Sequence, residues 1–455
     1  MILGSDIPCI NSKSFADLLS VTHIQQQIYS LKESALPDLE KVIKNLISKP
    51  MKVKSIFKMI LESVSKNTVS IPTYAELLSF IIKNGIFISK STDLKHYFVQ
   101  KILLNAGRTP DAYKSLSLIQ LLYYLSKDKE ISSEIILSMF VKFYKQGKFT
   151  FLSSLYFFAI FCKEIRDSYQ QIYTNMYNIL IKAKENKVLP SILDSFVENF
   201  QIFQHNNFIH SNKLIESILS DDINEFISIC SMPGFNFNQP APVYLLFAPK
   251  LPCQSPSLID LVAFVGSESC FRYLINNLQH SNINIDSLAR CAVASGIPAI
   301  VRLSQQIGCN VSSIIDVAAE YHRFQLIQWM LDYNPTTKSL SDACNIAAST
   351  DDIASLSILI QETGINGTPV HLAAKNKSFY CLSLFKLFNT KFDSIDSTGS
   401  TPLHYAVLSK SRRCVQLVKY LISDINATDF CHYTALDLAK LNNLTKIIEL
   451  FNTPA

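Results

Sequence analysis

Three segments near the C-terminus share one shape at one spacing. They are Thr368-Pro369-Val370-His371-Leu372-Ala373, Thr401-Pro402-Leu403-His404-Tyr405-Ala406 and Thr434-Ala435-Leu436-Asp437-Leu438-Ala439, and their first residues lie 33 apart, twice. A fixed period of this size is the mark of a stacked repeat architecture, and it constrains the fold more than composition does. Thr is a good helix N-cap, and Pro at the next position starts a helix at no cost in hydrogen bonding. The Leu points into the core, the Ala lets two helices approach closely, and the His can bond back to the turn. A second, more apolar helix follows each motif.

Anchoring each unit on its Ala extends the frame upstream. The anchors are Val262, Ala292, Ala318, Ala347, Ala373, Ala406 and Ala439. Eight, eleven and twelve residues after each lies one face of a helix. Of these 21 positions only Ser304 and Ser355 are polar. A degenerate further unit fits on Ile218, followed by Phe226, Ile229 and Cys230, so about eight units run over 208–455. From Val262 onward the anchor spacings are 30, 26, 29, 26, 33 and 33. The short middle units have lost residues where a β-hairpin finger would stand, so clipped turns are expected there.

T-P-L-H-x-A at this period resembles the ankyrin repeat. The segment from Ser257-Leu258-Ile259-Asp260-Leu261-Val262 to Cys270-Phe271-Arg272-Tyr273-Leu274 resembles units of the divergent ankyrin proteins expanded in some unicellular parasites. Ser220-Asp221-Asp222-Ile223-Asn224-Glu225-Phe226 resembles them too, and Ile71-Pro72-Thr73-Tyr74-Ala75-Glu76-Leu77-Leu78 weakly resembles the N-terminal part of the same proteins. The resemblance implies a non-catalytic, protein-binding solenoid. Independently, a repeat that cannot bury its apolar face alone must stack, and stacking creates an extended concave surface. Asn442, Asn443, Lys446 and Glu449 give the last unit the polar outer face of a terminal cap.

Between Ile218 and Val262 the spacing widens to 44. The extra stretch, 240–256, has five prolines around an apolar run and bars a regular helix. Two readings stand: a loop packed on the repeats, or an exposed binding finger.

Residues 1–200 show helical apolar spacing in ten segments: 15–32, 39–48, 56–65, 74–84, 94–105, 116–127, 131–144, 152–165, 169–184 and 192–203. Ser14, Thr73, Thr92 and Ser132 are candidate N-caps, and the prolines at 37, 50, 72, 110 and 190 fall between segments. The expected fold is therefore all-α: a helical N-terminal domain, bundle or α-solenoid, over 1–205, then repeats over 206–455. The polar, His-bearing stretch 204–211 reads as the turn between them; His205 and His210 lack partners at metal-ligand spacing.

Glycine numbers only 11 of 455, about a third of the usual share. That scarcity argues against phosphate-cradling loops, and no nucleotide-binding, nucleophile-elbow or zinc-protease motif occurs. Eleven cysteines form no CxxC pair. Cys270, Cys381 and Cys414 recur at one core offset and read as small buried hydrophobes. Cys431-His432 lies in a turn, and sequence neighbours are poorly placed to act as nucleophile and base. No enzyme, cofactor or metal site is therefore expected. Segment 1–6 has no basic start or sustained apolar run, and the longest apolar stretch, 151–162, is too short to span a bilayer. A monomeric cytoplasmic protein is expected, with a nuclear location also open. Residues 1–200 carry 25 Lys/Arg against 17 Asp/Glu, and the remainder 17 against 20. With no dense basic run, nucleic acid is not the expected partner.

The expected function is a protein-interaction scaffold. Candidate contacts are Ser397, Thr398, Ser400, Tyr405, Phe430 and His432, on the finger tips and inner helices of the best-formed units. Thr368, Pro369, His371, Thr401, Pro402, His404 and Thr434 are expected to shape those units. The alternative is a two-part adaptor, whose N-terminal helices dock to ligase or trafficking machinery while the repeats hold a client; the charge split is its support.

Overall fold

All eight anchors of the repeat frame, Ile218, Val262, Ala292, Ala318, Ala347, Ala373, Ala406 and Ala439, are 0% exposed. The computed structural model describes residues 12–46, 50–84, 94–127, 131–190, 193–194, 197, 213–242, 250–278, 283–333, 335–363 and 368–452. Among these, 26 α-helices and no strands are present. The boundary expected at 204–211, with His205 and His210, lies outside the described residues.

Among the described residues, ten helices with given bounds lie ahead of the repeats. They are α1 (Ser12–Tyr29), α2 (Leu36–Leu46), α3 (Pro50–Val64), α4 (Ile71–Lys83), α5 (Leu94–Arg108), α6 (Ala112–Lys127), α7 (Ser133–Lys145), α8 (Phe151–Ile160), α9 (Cys162–Ser168) and α10 (Gln170–Glu185). The expected segment 152–165 is two helices, interrupted at Phe161. Ser132 caps α7 as expected, with its Oγ accepting from the Ile135 amide. Ser14 and Thr73 instead lie inside α1 and α4, whose starts are Ser12 and Ile71. Pro72 explains the second case, because it occupies the first turn of α4 and sets the helix start ahead of Thr73. Thr92 lies outside the described residues. Helix α6 is buried on every side over Ser115–Tyr123 and is packed by α3, α4, α5 and α8. Phe140 stacks on Phe157 at 3.7 Å, and Phe157 on Phe161 at 4.6 Å, which ties α7 to α8.

Eight helix pairs follow, matching the eight units. The first pair is α11 (Lys213–Leu219) with α12 (Ile223–Cys230), then α13 (Leu258–Val265) with α14 (Glu268–Asn277) and α15 (Ile285–Ser295) with α16 (Pro298–Gln306). Next come α17 (Ile315–Glu320) with α18 (Phe324–Leu331), and α19 (Thr337–Thr350) with α20 (Ile353–Thr363). The last three are α21 (Thr368–Lys375) with α22 (Phe379–Leu387), α23 (Pro402–Leu408) with α24 (Arg412–Leu421) and α25 (Ala435–Leu441) with α26 (Thr445–Asn452). From α17 on, each first helix packs on the next first helix and each second helix on the next second helix. The two polar exceptions in the core are both satisfied. Ser304 Oγ donates to the Ile300 carbonyl at 2.9 Å, and Ser355 Oγ donates to Asp352 at 2.7 Å. Cys270, Cys381 and Cys414 are fully buried, and burial pushes the Cys270 thiol up to about 12.

The chain forms two compact units. One holds the described residues from Gln27 to Cys291; the other holds those up to Gln26 with those from Ala292 onward. Within the second, the Gln25 side chain donates to the Asp351 carbonyl at 2.5 Å and accepts from the Ile353 amide at 3.1 Å, 326 and 328 residues away in sequence.

A tetrapeptide pattern recurs at the helix–helix turns of two units: Ser220-Asp221-Asp222-Ile223 and Thr350-Asp351-Asp352-Ile353. The first Asp of each is in the left-handed region, at φ 52° and 64°. Its carboxylate reaches the next unit. Asp221 accepts from the Ser269 and Cys270 amides at 3.1 Å, and Asp351 from the Tyr380 and Cys381 amides at 3.0 Å. The second Asp caps its own helix, Asp222 through the Asn224 and Glu225 amides and Asp352 through the Ser355 amide. Each turn thus ends the orphan amides of two helices in successive units. Asp352 also faces His322 Nδ1 at 2.9 Å, both buried.

The insertion springs from a finger position. An antiparallel bridge joins Pro240 to Ser257, as Thr428 joins Thr434 in the last finger. Residues 243–249 lie outside the described residues. The returning arm is packed: Leu251 is buried, Lys250 pairs with Asp111 at 3.0 Å, and Arg290 Nε donates to the Pro252 carbonyl at 2.8 Å. For this arm the packed-loop reading is the one the contacts support.

Candidate functional site

The last two fingers are built on one plan. Asp396 Oδ1 accepts from the Thr398 amide at 2.9 Å, the Thr398 hydroxyl at 2.7 Å and the Ser400 amide at 3.0 Å. Its Oδ2 accepts from the Tyr405 hydroxyl at 2.6 Å. Asp429, 33 residues on, accepts from the Cys431 and Tyr433 amides at 2.9 Å. The Phe430 amide donates to the Thr398 carbonyl at 3.0 Å, which joins one fingertip to the next. At Gly399 the backbone is left-handed, φ +73°, and a Cβ would lie 2.6 Å from the Phe430 ring, so only glycine fits.

The motif residues lock these fingers to the helices. In α23, Pro402 occupies the first turn behind Thr401 as N-cap. His404 Nδ1 accepts from the Thr401 amide at 3.1 Å, and its Nε2 donates to the Tyr433 carbonyl of the following finger at 3.0 Å. Asp437 takes the Nδ1 role in the last unit, accepting from the Thr434 amide and hydroxyl at 3.1 and 2.7 Å. The Thr434 hydroxyl holds its carboxyl below the usual range. His371 Nε2 reaches the Ser394 and Ser400 carbonyls at 3.0 and 3.1 Å. Thr368 departs from the pattern, donating to Asn345 Oδ1 at 2.9 Å, while Pro369 is buried in the first turn of α21.

Of the six candidate contact residues, Ser397, Thr398, Phe430 and His432 are exposed. Ser400 and Tyr405 are half-buried, and with Thr398 they hold the Asp396 finger. The exposed apolar residues nearby are Phe430 at 68%, Leu441 at 61%, Ile395 at 60%, Leu408 at 45% and Tyr433 at 43%. Leu408 and Leu441 end α23 and α25 at equivalent positions, 33 apart. Sequence reasoning did not single out Ile395, Leu408, Tyr433 or Leu441. Laying the last two units on each other would have found Leu408 and Leu441, apolar at one shared non-core offset, whereas Ile395 and Tyr433 align with Thr428 and Ser400.

A family model described as "Ankyrin repeats (3 copies)" matches residues 315–429 and, in an overlapping match, 370–452. Residues 315–452 are ankyrin repeats. No curated protein matches the chain. The fold is accordingly an all-α ankyrin solenoid with a helical region ahead of it. Ankyrin repeats are in general protein-interaction modules without catalytic activity. No helix among the described residues is long and apolar enough to cross a membrane.

Two expected results arise from this finger geometry. His432 stands where Gly399 stands one unit earlier, at φ 63°. A left-handed backbone costs a non-glycine residue about 1–2 kcal/mol, against roughly 0.5–1 kcal/mol of added chain entropy for glycine. His432→Gly should therefore stabilise the ankyrin unit by about 0.5–1 kcal/mol, read by urea unfolding. An unchanged or lower stability would show that the His432 side chain contributes to the finger.

The second concerns acid. Burial disfavours the Asp396 carboxylate, but the Thr398 and Tyr405 hydroxyls and the Thr398 and Ser400 amides outweigh it and hold the carboxyl well below the usual range. A depressed folded pKa contributes stability that is present above the unfolded value, near 4, and lost only as pH falls through the folded value. The Thr398 and Ser400 amide resonances should hence stay constant through the ordinary carboxylate range and titrate only in stronger acid. A midpoint near 4 would mean the carboxylate is not so held.

Proposed function

We propose that the chain is a non-enzymatic scaffold that takes a protein partner along the inner face of its last ankyrin repeats. The observation that carries this is the set Ile395, Leu408, Phe430, Tyr433 and Leu441. Large apolar side chains stand uncovered on finger tips and first-helix ends, on fingers stiffened by Asp396 and Asp429. Rigid placement lowers the ordering cost of association, and uncovered aromatic and aliphatic side chains ringed by polar ones suit a protein contact. Ser397 and His432 supply polar rim beside them. The reading carries with it a cofactor-free monomer acting in the cytoplasm or nucleus.

A photo-crosslinking residue placed at Leu441 in the native cell tests it. The same residue at Tyr420, which is exposed on the second helix α24, serves as the control. Capture of one discrete protein from position 441 and not from 420 is the expected result. Equal capture from both, or none from 441, would reject the inner face as the contact.

The two-part adaptor is a second reading, favoured by the basic balance of residues 1–200. It expects a second partner whose binding to the full chain survives changes at Leu408, Phe430 and Leu441.

A further inference from the structure

Away from the inner face, two thiols oppose each other under the insertion. Cys253 Sγ lies 3.7 Å from Cys291 Sγ, across 38 residues of sequence. Cys253 is half-buried on the returning arm of the insertion, and Cys291 is fully buried in α15. The arm is held just ahead of the thiol by Lys250 on Asp111 and by Arg290 on the Pro252 carbonyl. Asp260, buried in the first turn of α13, and Ser287, in the first turn of α15, stand beside the pair. The core cysteines differ from these two: Cys270 and Cys381 have backbone carbonyls as their sulfur neighbours, at 3.9 and 3.7 Å.

The two thiols are also unequal. The hydrogen bond from Cys291 holds the Cys253 thiol below its ordinary value, and burial drives the Cys291 thiol well above its own. A half-buried thiol held below its ordinary value beside a fully buried one held above suits a reacting cysteine and a resolving cysteine.

We propose that Cys253 and Cys291 form a peroxide-sensitive oxidation site whose product, a disulfide, fastens the returning arm of the insertion to α15. The Cys253 thiolate attacks one oxygen of hydrogen peroxide and the O–O bond breaks. Cys253 becomes a sulfenic acid, and the hydroxide released takes up the proton that the thiol lost, giving water. Cys291 Sγ then attacks the Cys253 sulfur. The S–O bond breaks, and the departing hydroxyl leaves as a second water with the Cys291 proton. Two thiols are oxidised and one peroxide is reduced to two waters. The sulfurs must close from 3.7 Å to about 2.05 Å, a movement within reach of side-chain rotation and a small shift of the arm. A thiol reductant reopens the bond.

The test uses the full-length, fully reduced protein. Hydrogen peroxide is added at low molar excess, free thiols are blocked with N-ethylmaleimide, and tryptic peptides are read without reduction. The expected product is peptide 251–272 joined to peptide 291–302, formed roughly tenfold faster than any link made by the exposed Cys431. Peptide 251–272 also contains Cys270, so Cys253→Ser must abolish the link. In Cys291→Ala, Cys253 should stop at the sulfenic acid and be trapped by dimedone. Oxidation of Cys431 with no 253–291 link overturns the proposal, as does a link that persists in Cys253→Ser.

Discussion

Asp351→Ala is expected to lower the stability of the ankyrin unit by about 2–4 kcal/mol, the sum of a lost two-amide cap and a worse left-handed backbone. The Asp351 carboxylate accepts from the Tyr380 and Cys381 amides, which open α22 in the next unit. Asp351 is buried, and so is Cys381, so water cannot replace the lost acceptor freely. The residue also sits at φ 64°, where Asp is tolerated and Ala is not. Asp351→Asn separates the two effects, since Asn keeps one acceptor oxygen and the tolerance for this backbone. It should recover more than half of the loss. Urea unfolding measures both variants. If Asp351→Ala matched the wild type, the inter-unit cap would contribute nothing. If Asn were as damaging as Ala, the carboxylate charge itself would be the stabilising feature. The loss should appear mainly as a lower midpoint, because a stacked array passes a weak interface to its neighbours.

The combined change Leu408→Ser, Phe430→Ala and Leu441→Ser should weaken binding of the captured partner by roughly a hundredfold or more, with the fold kept. Each side chain is exposed, so removing it costs the free protein little. Central apolar anchors contribute about 2 kcal/mol or more each where they are truly hot, and a hundredfold corresponds to about 2.7 kcal/mol. Circular dichroism and the unfolding midpoint should be unchanged, and the dissociation rate should carry most of the effect. A companion set, Thr398→Ala with Tyr405→Phe, acts differently. It removes two hydroxyl donors from Asp396 and should loosen the finger, weakening binding less than the apolar set does. If the apolar set left affinity intact, the partner would contact another face.

Much of the fold can be read without a structure because repeat burial is a local, periodic property. The Ala anchors, the offsets behind them and the N-caps Thr401 and Thr434 all act within about a dozen residues of chain. Helix existence in 12–190 follows from the same periodicity. Helix starts were less legible: Thr73 lost to Pro72, because a proline in the first turn outranks a hydroxyl one residue later.

The candidate surface was legible only in part. Thr398, Ser400 and Tyr405 look like free polar contacts on a fingertip. In the folded chain they converge on Asp396, which no motif marks. The apolar residues that stay uncovered were passed over, since a Leu or Ile in a helical repeat reads as core until its neighbours are known.

The period of 33, the paired-helix unit and the caps at its start belong to the sequence alone, because each rests on contacts between residues close in the chain. Tertiary structure decided everything that pairs distant residues: Gln25 with the turn at Asp351, each turn aspartate with the next unit, and Cys253 with Cys291. These are single polar or thiol contacts with no period of their own. Burial makes them strong, and burial exists only once the units have stacked.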